Sequence, residues 1–86
     1  LIVWTDFHRT LSEYADGFAS LAAAYDGTAG SSAELEAVID RYSALILEPR
    51  NTLMWEELIR REPEETERLA YRLRERSALC VALMEK

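Results

Sequence analysis

The chain of 86 residues holds one cysteine, one histidine, two prolines and three glycines. Each scarcity excludes a class of protein. With Cys80 alone, neither an internal disulfide nor a multi-cysteine metal site can form within one chain. His8 has Thr5 rather than a glutamate three positions before it, so the Glu-x-x-His pairs of a carboxylate-bridged metal bundle are missing. Gly17, Gly27 and Gly30 make neither a phosphate-binding nor a dinucleotide-binding loop. No metal and no cofactor are therefore expected. The longest apolar run, Ala78 to Met84, has seven residues, far short of the ~20 that a membrane-spanning helix needs. No basic stretch leads into an apolar segment and a cleavage site, which makes a reducing cytoplasm the expected compartment. The chain starts at Leu1 rather than Met, and the expectation is a single helical domain over residues 1–86, open to truncation at either end.

Positive charge is scarce in the first half. Residues 1–48 carry eight carboxylates against Arg9 and Arg41, whereas residues 49–86 balance eight acids with eight bases. An acidic half repels phosphate backbones, so a nucleic-acid-associated regulator is the least favoured class.

What is abundant is helical periodicity. In WTDFHRTLSEYADGFASLAAAY, residues Trp4, Phe7, Leu11, Tyr14, Phe18, Leu21 and Tyr25 follow one another at alternating spacings of three and four, which puts them on one helix face. That spacing suits a core or an interhelical seam better than a cofactor box. Gly17, beside Phe18, is costly inside a helix and reads as a point of close approach by a neighbour. Asp26–Gly30 is turn chemistry, and Ser31 with Glu34 matches a capping box, which starts a second helix near residue 32. Its apolar face is Leu35, Val38, Ile39, Tyr42, Leu45 and Ile46, and Pro49 ends it. Asn51 or Thr52 can cap a third helix carrying Leu53, Met54, Trp55, Leu58 and Ile59. A break at Glu62–Pro63 is expected, because an unbroken seam would place Glu62 and Thr66 inside. The fold predicted is all-α: an antiparallel bundle of four helices at about 3–25, 32–47, 52–61 and 63–85, with long first and last helices embracing the shorter pair.

Chemistry is harder to find. Cys80 sits in ALCVALM, where apolar neighbours raise a thiol pKa, and reads as a small buried hydrophobe rather than a nucleophile. Arg68, Arg72 and Arg76 recur every four residues and line one face of the last helix, from which they could grip an anion beside Trp55. Against that, Glu56–Arg60, Glu57–Arg61 and Glu64–Arg68 are i, i+4 pairs of a self-satisfied, solvated face. In size, class and residue type the arginine arrangement is loosely similar to the small all-helical chorismate mutases, which hold a dicarboxylate with arginines from long helices. That resemblance implies a small helical enzyme or sensor for an aromatic or anionic small molecule.

The lead expectation is different. Ala78 to Met84 is apolar all the way round its helix, and such a surface must be covered on every side. Leu79, Cys80, Leu83 and Met84 are accordingly the expected interface of a non-catalytic interaction module, either a homodimer or a protein that docks a partner helix.

Overall fold

The computed structural model describes residues 3–85. It has four helices, α1 (Trp4–Ala24), α2 (Ala29–Leu47), α3 (Pro49–Arg61) and α4 (Pro63–Met84), and no strand among the described residues. The all-α class, the number of helices and the break between α3 and α4 are as the periodicity predicts.

The aromatic stripe of α1 is the core. Phe7, Leu11 and Phe18 are fully buried together with Ala15, and Trp4, Tyr14, Leu21 and Tyr25 pack against them half-covered. Around this stripe close Leu35 and Val38 of α2, Leu58 of α3, and Leu69, Leu73 and Cys80 of α4. Two of the aromatic pairs meet at steep angles. Phe18 stands edge-on to Tyr42 at a centroid distance of 5.2 Å, and Phe7 edge-on to Trp55 at 5.7 Å, the geometry that aligns ring edges with ring faces. Of the apolar face expected for α3, Leu58 is buried and Met54 and Trp55 are partly covered, but Leu53 and Ile59 are exposed.

Helix direction departs from up-down alternation. Along α1 and α2 the pairings run in opposite order, Tyr25 meeting Ser32 and Tyr14 meeting Tyr42. Along α1 and α4 they run in the same order: His8 faces Glu65, Ala15 receives Arg76, and Phe18 receives Cys80. The two long helices are therefore parallel and lie directly against each other, in the most extensive contact of the fold. They do not enclose α2 and α3 between them. Helix α3 instead crosses the end where α1 begins, with Trp55 on Phe7 and Arg61 over the ring of Trp4, and returns the chain to the start of α4.

Both turns of this path are single residues. Glu48 ends α2 and precedes α3, and Glu62 ends α3 and precedes α4. Each is followed by a proline at the first helical position, where a missing N–H costs nothing. Buried polar groups fix the two corners. Asn51 lies inside the first turn of α3 rather than capping it, and its Nδ2 donates to the Leu45 carbonyl at 2.7 Å. Thr66, buried after all, donates its hydroxyl to the Leu58 carbonyl at 3.0 Å, and that oxygen also receives the Glu62 N–H at 2.7 Å. The start of α2 falls three residues before the expected one. Thr28 is its N-cap and accepts from the Ser31 N–H, while Asp26 Oδ1 receives the Thr28 N–H, the Thr28 hydroxyl and the Ser31 hydroxyl.

The molecule is thin, with extents of 41 × 24 × 17 Å and a radius of gyration of 13.6 Å. A compact chain of this length has a radius of about 12 Å. Helices α2 and α4 both lean on α1 and touch each other less than either touches α1. A furrow remains between them.

Candidate functional site

Two of the surfaces that combine side chains from different helices bear on the expected site residues. The first is the polar seam between α1 and the first half of α4. Glu65 is its hub, with Arg68 Nη2 at 3.0 Å, Arg72 Nη2 at 3.8 Å and His8 Nε2 at 3.8 Å from its oxygens. The hydrogen bond from Arg68 is the main cause that holds the Glu65 carboxyl below its ordinary pKa. Arg76 belongs elsewhere. Its Nη1 crosses to α1, donating to the Ala15 carbonyl at 2.9 Å and lying 3.5 Å from Asp16. Trp55 is packed against Phe7 and does not join the arginines. The structure thus brings Arg68 and Arg72 together, directs both to a carboxylate of the same helix, and separates them from Arg76 and Trp55. The adjacent hollow is bounded by Trp4, His8, Arg68 and the acids Glu62, Glu64 and Glu65, a lining whose carboxylates repel an incoming anion. Two nitrogens at this seam, His8 Nε2 and Arg72 Nε, are buried without a hydrogen-bond partner.

The second surface is the furrow between α2 and α4, of about 460 Å³. Ile39, Tyr42 and Ser43 form one wall, and Arg74, Ser77, Ala78, Val81, Ala82 and Glu85 form the other. Its floor and walls are apolar or small, and charge appears only at its two ends. Tyr42 is half-buried there, and burial pushes its phenol above the usual pKa. Val81 is 39% exposed.

The expected interface residues divide among three environments. Cys80 is removed from the set: it is fully buried, its thiol donates to the Phe18 carbonyl at 3.5 Å, and burial raises its pKa. Leu83 and Met84 pack partly against the core. Leu79 is 52% exposed, but it points away from the furrow. Ala78, Val81 and Ala82, which lie in the apolar run expected to need cover but outside the four residues expected at the interface, line the furrow together with Ile39 and Tyr42 of α2.

Among the described residues, no helix is long and apolar enough to cross a membrane, and no group of three or more His, Cys, Asp or Glu side chains is placed to hold a metal ion. In comparisons with protein-family models, curated proteins and solved structures, no match is found. The arrangement of side chains is therefore what bears on function.

Proposed function

We propose that this protein is a non-catalytic helical interaction module that self-associates through apolar helix faces. The observation that carries the reading is the α2–α4 furrow, an apolar slot between two helices that a third helix would fill. A bundle helix needs neighbours at roughly 8–10 Å on each apolar side, and α4 has one such neighbour in α1 but no full one across from Ala78, Val81 and Ala82. The small side chains there permit close backbone approach. The arginines favour this reading over an anion-binding one, since Arg68, Arg72 and Arg76 each already face an oxygen of this chain.

The decisive measurement is molecular mass by sedimentation equilibrium or light scattering across the micromolar range. The expected result is a dimer. Replacing Val81 by Glu places a charge in the furrow, where it loses its hydration without a partner, and is expected to yield a folded monomer with unchanged helical content. A wild-type mass of one chain at all concentrations would refute self-association.

A further inference from the structure

The wall that α4 gives to the furrow has a property that specifies its occupant. Its residues, Arg74, Ser77, Ala78, Val81, Ala82 and Glu85, recur at spacings of three and one, so they form one straight stripe about 17 Å long at the helical rise. The stripe carries opposite charges at its two ends, Arg74 and Glu85, with small or apolar side chains between them. Among the described residues, neither Arg74 nor Glu85 takes part in an ion pair; Arg74 lies 5.9 Å over the ring of Tyr71 instead. Both are exposed.

Resting on the self-association reading above, we infer that the furrow is filled by the α4 helix of a second copy running antiparallel, in the register that sets Arg74 against the partner's Glu85. That register puts Ala78 opposite Val81 and Ser77 opposite Ala82, so a larger side chain meets a smaller one and the backbones approach closely. A two-fold axis then passes between Ala78 and Val81, and each copy supplies both members of the charge match, which forms twice. The same patch on both copies is self-complementary, as a closed dimer requires. A parallel pairing sets Arg74 on Arg74 and Glu85 on Glu85, two like-charge contacts that select against it. Ile39 and Tyr42 of α2 flank the seated helix, and the joined molecules form a layer of α2, α4, α4 and α2 across the axis.

Charge reversal tests orientation and register together. The variants are Arg74→Glu, Glu85→Arg and the double variant, with self-association constants read by sedimentation equilibrium and folding checked by far-ultraviolet dichroism. Each single reversal creates two like-charge contacts by symmetry and is expected to weaken the dimer about tenfold or more. The double variant restores both opposite-charge contacts and is expected to return to within about threefold of wild type. Two weakened single variants with an equally weak or weaker double variant would overturn the antiparallel register. A dimer unaffected by any of the three would also overturn it, while leaving self-association intact on another surface. A wild-type monomer would remove both this inference and the reading on which it rests.

Discussion

Gly17 lies in the interior of α1, beside a core phenylalanine, and yet nothing occupies the space where a side chain would go. A Cβ built there meets no atom within 4 Å, and its backbone, unlike that of Gly27 at φ +80°, is not in the left-handed region. The close approach of a neighbouring helix expected from the sequence is absent in the single chain. Gly17→Ala therefore removes a conformational penalty without introducing a clash. Alanine is favoured over glycine in a helix interior by about 1 kcal/mol, and for a domain of this size that corresponds to a rise of roughly 4–8 °C in melting temperature. The assay is thermal unfolding followed by far-ultraviolet dichroism, with chain concentration fixed because association shifts the midpoint. Gly27→Ala is the internal contrast. Its positive φ costs a side-chain-bearing residue roughly 1–2 kcal/mol, so its melting temperature falls. A fall for Gly17→Ala would refute the reasoning and mean that another chain approaches α1 at this position.

Two further outcomes follow from packing and protonation. Phe18→Ala removes a fully buried ring and is expected to cost about 3–5 kcal/mol in denaturant unfolding, whereas Arg9→Ala, losing only the exposed pair with Asp6, changes stability by less than about 1 kcal/mol; equal effects would displace the core from the aromatic stripe. The hydrogen bonds from Thr28 and Ser31 lower the pKa of Asp26 from 3.8 to about 2. A folded value below the unfolded one means that the stabilisation is complete above about pH 4 and is lost as pH falls toward 2. Asp26→Asn is expected to flatten stability against pH in that window, and an unaltered acid limb would reject the turn network as its source.

Side-chain periodicity made the helices legible, because a burial pattern repeats along the chain and needs no knowledge of the partner. The α1 stripe from Trp4 to Tyr25 is the clearest instance. Helix starts were harder to place, since Thr28 and Ser31 are both good caps and the choice between them is made by Asp26, whose carboxylate binds both hydroxyls. Pro49 read as a stop for α2 and is at the same time the first residue of α3. Direction was not legible at all. Whether a chain turns back or crosses sideways after Glu48 is decided by φ and ψ at one residue and by Asn51 reaching a carbonyl of the preceding helix. The arginines illustrate a similar limit: a four-residue repeat puts Arg68, Arg72 and Arg76 on one face, but Arg76 goes to α1 because the carbonyl of Ala15 is within its reach.

The single-residue joints at Glu48 and Glu62 give α3 a fixed rotational phase. Each residue advances a helix by about 100°, and with no loop to absorb a change, one added residue at Glu48 would turn the whole of α3 by that angle. Leu58 would swing out of the core, and the side chain at position 51 would leave the carbonyl of Leu45. The corner between α1 and α2 differs, because four residues, Tyr25 to Thr28, separate those helices and include the glycine with positive φ. A change in chain length can thus be absorbed at the end of the molecule where α1 meets α2, whereas at the opposite end α2, α3 and α4 are geared together and such a change would disrupt the core.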